Sequence, residues 1–187
     1  MRRCRQTRCS RYDVWLVNVR LCNKRRTVVL NALPILRLRS RKALEMPTVF
    51  ERLSSWLVEN DAEFDVMRHE PVFTSEEAAQ VRGTTLSSGA KALVCKVGDR
   101  FVMFVLPADR KLDSKAARKH LSAKKIRFAS ADEVLELTGL KPGSIPPFGS
   151  LFNLQTYCDQ RLQDESTINF NAGDHAISIN MTFGEYQ

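Results

Sequence analysis

Cysteine is scarce in the 187-residue chain, with five in all and three of them among the first 45 residues. The other two, Cys95 and Cys158, stand alone with no CxxC spacing, which argues against a zinc site, and so low a count supplies no disulfide framework. A reducing, cytoplasmic setting is the simplest expectation. No apolar run approaches the length needed to cross a bilayer, so no membrane partner is expected. There is no internal repeat and no strict strand-helix-strand rhythm, which removes solenoids and doubly wound sheets from consideration.

What is present is an ordinary globular composition, 43% hydrophobic and 27% charged, on a length that suits one domain with an appendage. The formal net charge of +8 resembles a nucleic-acid signature until it is divided along the chain. Residues 1–45 hold 13 basic and 2 acidic side chains, whereas residues 46–187 hold 16 and 19. Three readings compete for this basic front end: an arm that contacts phosphates, an organelle transit segment, or a stretch that is disordered or lies upstream of the natural start. The last is preferred, because Met46-Pro47-Thr48 opens a well-formed helix.

In residues 47–59, Val49, Phe50, Leu53, Trp56 and Leu57 fall at helical spacing, with Pro47 suited to a first turn. Residues 64–69 alternate as a short strand. Thr74 with Glu77 forms a capping box ahead of a helix that Gly83 stops. KALVCKV and RFVMFVLP are strand-like runs joined at Gly98-Asp99, and the second is apolar enough for a strand covered on both faces. Asp113 caps a helix read over 114–125, and Ser130 with Glu133 caps another that Gly139 ends. Residues 140–150, LKPGSIPPFGS, form a stiff shaped loop. LQTYCD, STINFNAG and HAISINM predict three further strands. The fold class is α+β: a mixed, curved β-sheet with helices packed on it.

On the strand AKALVCK, residues 91, 93 and 95 share one face, so Lys91 sides with Leu93 and Cys95. Such a lysine either snorkels outward along its four carbons or is held in a cleft for a purpose. The proline-glycine loop either connects or presents backbone N–H groups to an oxyanion. Spacing alone leaves both pairs of readings open.

Taken in order, HEPVFTSEEAAQVRG, GAKALVCK, DRKLDSKAARKHL, IRFASADEVLELTGLKPGSIPPFG and INFNAGDHAISINM resemble the YbaK/ProX family of aminoacyl-tRNA deacylases, relatives of the editing domain of bacterial prolyl-tRNA synthetases. The resemblance covers about residues 47–187 and rests on the order and number of its motifs. It implies hydrolysis of the ester that joins a wrong amino acid to a tRNA, without metal or organic cofactor. Alanine, serine or threonine would be the acyl group. The acceptor end of mischarged tRNA is the implied partner, with an aminoacyl-tRNA synthetase as a further one and a monomer or weak dimer as the assembly.

Under that resemblance Lys91 matches the essential lysine, and Gly143 and Ser144 stand in the loop beside the scissile ester as further catalytic positions. Ile145, Pro146 and Gly149 belong to the same loop. His69, Phe73 and Thr74 match positions that shape the amino-acid pocket, as do Asn171 and Ser178. Ser144 replaces a second glycine found in other members. Asn171 stands where alanine-directed members carry a histidine, and Ser178 where the YbaK branch has an aspartate. His69 is the tempting general base, although a histidine beside proline is more often structural. His120 and His175 suit solvated positions. Two other functions stay open: a non-catalytic module that holds an aminoacyl or nucleotide end, and thiol chemistry at Cys95.

Overall fold

The computed structural model describes residues 46–187 and the backbone of a short strand, β1, at Leu16–Asn18. The reading of residues 1–45 as an extension otherwise lies outside the described residues. Among these, no helix is long and apolar enough to cross a membrane.

Helix α1 (Val49–Glu59) begins at Thr48, whose hydroxyl accepts from the Glu51 N–H while the Glu51 carboxylate accepts from the Thr48 N–H. Pro47 therefore precedes the cap instead of occupying the first turn. β2 (Asp65–Arg68) follows, then α2 (Ser75–Arg82), with the predicted Thr74/Glu77 box at one end and Gly83 in the left-handed region, φ +66°, at the other. β3 (Ala90–Val97) and β4 (Arg100–Pro107) form the expected hairpin about Gly98-Asp99, paired over their whole length. α3 (Ser114–His120) is shorter than its sequence suggests, because the chain turns at Ser122 to form β5 (Ile126–Phe128). α4 (Ala131–Thr138) ends at Gly139, β6 (Gln155–Asp159) follows the long loop, and β7 (Ile168–Asp174), β8 (Ile177–Met181) and α5 (Phe183–Tyr186) complete the chain.

The architecture is α+β with a mixed sheet, as expected, but the strands divide between two sheets. One has the order β1-β6-β4-β3-β5, with β4 and β6 parallel and the other pairs antiparallel; the second has the order β2-β8-β7. Alternate residues of β3 and β4, among them Val94, Met103 and Val105, face Ile168, Phe170 and Ile179 of the second sheet, with Leu53 and Leu57 of α1 in the same core. The opposite face of the first sheet carries Cys95, Val97, Val102, Phe104 and Leu106 against Ala117 of α3. β4 is thus covered on both sides, which is why it has almost no alternation.

Gly149 lies in this framework. Its N–H donates to Thr156 Oγ1 at 3.2 Å, and a Cβ built on it would stand 2.3 Å from that oxygen and 2.6 Å from the Leu154 carbonyl. The close approach needs glycine, and it holds the loop to the start of β6. Gly149→Ala is expected to lose about 1–3 kcal/mol of stability through overpacking, read as a lower urea midpoint at unchanged slope.

Candidate functional site

A cleft opens where β3 lacks a neighbour. β5 pairs with β3 only over residues 95–97, with Ala129 N–H donating to the Val94 carbonyl just beyond. Peptide groups two residues apart point the same way along a strand, so Ala92 presents its N–H and C=O to the side that β5 has left. Near the start of β3 the two sheets touch again: Asn169 N–H donates to Ser88 O at 2.9 Å in a parallel bridge between Gly89 and Asn169. Between these points lies a cleft of about 100 Å³, walled by α2 on one side and by the loop at 143–145 on the other.

Lys91 lines this cleft. Its ammonium donates to the Ala108 carbonyl at 2.9 Å and to the Arg110 carbonyl, both in the connection that leaves β4. Two of its three N–H groups are committed, so the amine is pinned at the cleft and does not trail into solvent. Burial lowers its pKa below the ordinary lysine value, and Asp109 and Glu76 pull in the opposite direction.

The loop supplies fewer groups than its sequence suggests. Gly143 lines the cleft at φ +93°, with His175 Cε1 only 3.0 Å from where a Cβ would stand. Ser144 is turned underneath: it is 3% exposed, and its N–H and its hydroxyl both donate to the Lys141 carbonyl. It cannot serve as an oxyanion donor there, because neither of its donors faces the opening. Ile145 lines the cleft, and among the described residues neither the Gly143 nor the Ile145 N–H has an acceptor. Pro146 is fully buried in the core and Gly149 belongs to the packing described above, so neither reaches the cleft.

Behind the opening lies a polar chain whose directions follow from donor chemistry. The Arg82 guanidinium can only donate; its Nε gives to Ser178 Oγ at 2.9 Å and its Nη2 gives to Asn171 Oδ1. Asn171 must then turn its amide outward, and Nδ2 donates to the Gly143 carbonyl at 2.8 Å. The Ser178 hydroxyl donates to His69 Nε2 at 2.6 Å, while His69 Nδ1 donates to the Glu70 carbonyl at 2.7 Å. Both ring nitrogens of His69 are therefore engaged, and it does not line the cleft. His69 and Ser178 support the site from behind; Asn171 and Arg82 form part of its wall.

Arg82 is the residue that sequence reasoning missed. Placed one position before Gly83, it falls in the last turn of α2, where a basic side chain is ordinary. In the fold that last turn faces inward, and no carboxylate among the described residues pairs with it. Burial without a counter-ion pulls its pKa down to about 10. The signal was the position of an arginine inside the HEPVFTSEEAAQVRG motif, a single residue that no periodicity could mark.

Thr74 lines the cleft while its hydroxyl caps α2, accepting from Glu77 N–H at 3.1 Å. Phe73 reaches the cleft too, but its ring is 73% exposed. Cys95 faces α3 inside the second core, fully buried, and burial pushes its thiol up to about 12, so it holds no thiolate near neutrality. No cluster of three or more metal-binding side chains occurs among the described residues.

The cleft is cationic, lies beside a glycine-proline loop and is set between a mixed sheet and a small antiparallel one. The profile of the aminoacyl-tRNA editing domain matches residues 69–187, and the chain belongs to that family. It is 37% identical over 141 residues to the multifunctional Ser/Thr-tRNA deacylase ProXp-y of Escherichia coli K12, covering 73% of this chain and 84% of that protein. The proline-tRNA ligase of Bacillus licheniformis is 35% identical over 92 residues, covering 49% of this chain and 16% of the ligase. In fold, the crystal structure of the protein APE2540 matches with a TM-score of 0.68 at 23% identity over 73% of this chain and 91% of that one. A candidate trans-editing enzyme for prolyl-tRNA synthetase matches at 0.64 and 24% identity, over 75% and 90%.

Arg82→Met keeps length and loses both donated bonds, each of a kind worth about 1.5–3 kcal/mol. Deacylation kcat/KM is expected to fall at least tenfold in a variant with a native circular dichroism spectrum. Arg82→Lys, which cannot hold Ser178 and Asn171 together, should recover little; full recovery would mean that charge alone matters.

Proposed function

We propose that the cleft binds the aminoacylated 3′ end of a tRNA and hydrolyses its ester, with serine and threonine as the preferred acyl groups and alanine after them. The observation that carries this reading is electrostatic. Two cations, Arg82 and Lys91, line a small cleft whose wall contains no carboxylate; Asp109 and Glu76 offset Lys91 only in part, which leaves room for a ligand's negative charge. An ester carbonyl developing an oxyanion, next to a ribose phosphate, provides it.

The size supports a small acyl group. The cleft is small, about 100 Å³, in keeping with a small side chain. Ala78, Ala79 and Ile145 supply apolar walls, while Arg82, Asn171 and Thr84 supply polar ones. A hydroxylated side chain suits that mixture, in line with the name of the ProXp-y relative.

The wall contains no histidine, carboxylate or cysteine, which leaves the nucleophile to water or to the neighbouring ribose hydroxyl. An aminoacyl ester is activated enough for that. The protein's part is then to hold the ester and to stabilise charge on its carbonyl oxygen, through the third N–H of Lys91 and the unengaged N–H groups of Gly143 and Ile145. The exposed basic side chains at Arg118, Lys119, Lys124 and Lys125 lie in the segment following β4, on and after the helix that packs against the Lys91 face of the sheet, where the rest of the acceptor stem could be drawn by charge. The protein would act as a monomer or weak dimer, alongside a synthetase that makes the error.

Deacylation of Ser-, Thr- and Ala-tRNA by the full chain tests the reading, and absence of turnover on all three would end it in favour of a binding module. Lys91→Ala is expected to lower kcat about 10²–10³-fold, the usual effect of removing an oxyanion donor, with thermal stability nearly kept. Because the ammonium form is the active one and its pKa is lowered by burial, enzymatic rate relative to spontaneous ester hydrolysis should fall as pH rises through that pKa. The fall should come earlier than for an ordinary lysine.

A further inference from the structure

Phe73 is one of several exposed large apolar side chains among the described residues, and the one of them that lines the cleft. Its ring is 73% exposed although it lines the cleft, and a side chain needed only to wall an amino-acid pocket would bury itself. Nor is it loose. Its N–H donates to Glu77 Oε2 at 2.9 Å, tying the backbone into the capping box of α2. Its ring rests on the His175 imidazole at 4.8 Å between centroids and 37° between planes.

His175 is itself locked in place. Its Nδ1 donates to the Val72 carbonyl at 2.9 Å, the Val72 N–H donates back to the His175 carbonyl at 3.1 Å, and its Cε1 lies 3.0 Å from where a Cβ on Gly143 would stand. Gly143, His175 and Phe73 are thus neighbours in sequence of contact, from the loop that lines the cleft to an exposed aromatic side chain. The ribose that carries the ester also carries its base, one sugar ring from the scissile bond. With the ester held in the cleft, a base on that ribose would be carried toward its opening, which Phe73 lines.

We propose that the free face of Phe73, backed by His175, is a stacking platform for the terminal base of the single-stranded tRNA end. The inference rests on the functional reading above and adds to it the recognition of the nucleotide, separate from that of the amino acid. Stacking tolerates any base because every base has a π-face, and replacing the aromatic by alanine typically weakens binding about 5- to 150-fold per base. The carboxylate of Glu77 nearby is occupied by the N–H groups of Phe73 and Thr74, so it is already engaged by donors beside the platform.

The test uses the full chain, its Phe73→Ala, Phe73→Leu and Phe73→Trp variants, and two RNAs: a minihelix with the normal single-stranded end and the same minihelix abasic at its last position. Binding is measured on uncharged RNA, and turnover on the seryl forms. Phe73→Ala should raise Kd and KM by about 5- to 150-fold on the normal end, leave kcat little changed, and have almost no effect on the abasic end. Phe73→Trp should restore affinity and Phe73→Leu should not. Equal binding of wild type and Phe73→Ala to the normal end overturns the platform, as does an equal loss on both ends, which would place Phe73 against the acyl group instead. The binding arm needs no turnover. Phe73-dependent binding without hydrolysis would sink the hydrolase reading and keep the platform, while hydrolysis with Phe73-independent binding would do the reverse.

Discussion

The site exists because β3 is paired on both edges for only part of its length. β4 accompanies it throughout, but β5 meets it only over residues 95–97, and the second sheet touches it at the Gly89 to Asn169 bridge. The interval between them is a gap in the ladder, and backbone polar groups left without a strand there must find water or a ligand. A longer β5 would close the cleft. Gly89 sets the other limit, since a Cβ at that position would stand 2.9 Å from the Ala108 Cβ and force apart the strand ends that carry Lys91 and its carbonyl partners.

Into that gap the fold directs positive charge, unpaired at Arg82 and offset only in part at Lys91 by Asp109 and Glu76. Lys91 is held by two carbonyls, and Arg82 by a hydroxyl and an amide oxygen. Each acceptor is neutral, so the charges are oriented but not cancelled. Removing a cation from water without a counter-ion costs stability, and the lowered pKa of both groups reflects this. Such a cost is tolerated where a ligand supplies the missing charge. The chain from His69 through Ser178, Arg82 and Asn171 to the Gly143 carbonyl shows how tightly the orientation is kept: it ties β2, β8, α2 and β7 to the loop at the cleft.

Local structure was well marked in the sequence where it rests on local chemistry. The boxes at Thr74/Glu77 and Ser130/Glu133 and the left-handed glycines at 83 and 139 appear as read, since caps are satisfied within four residues of chain. β5 was not legible, because three residues are too few to establish alternation, and pairing at residues 95–97 is what makes them a strand. The α3 reading overran for the same reason: the basic run continues to look helical past Ser122, where the chain must turn to reach the edge of β3.

The sequence by itself determined the fold class, the caps, the hairpin and the family, and through the family resemblance it picked out Lys91 and the loop at 143–145. These depend on patterns of neighbours or on ordered motifs. Only the tertiary structure decided which way each group faces. It turned Ser144 under the loop and left the Gly143 and Ile145 N–H groups unengaged, placed His69 behind the wall, brought Arg82 into it, and stood Phe73 open on His175. Apart from Ser144, which bonds to Lys141 three residues back, direction at these positions is set by contacts between residues some 30 to 110 places apart, such as Asn171 with Gly143 and His69 with Ser178, and no local pattern encodes them.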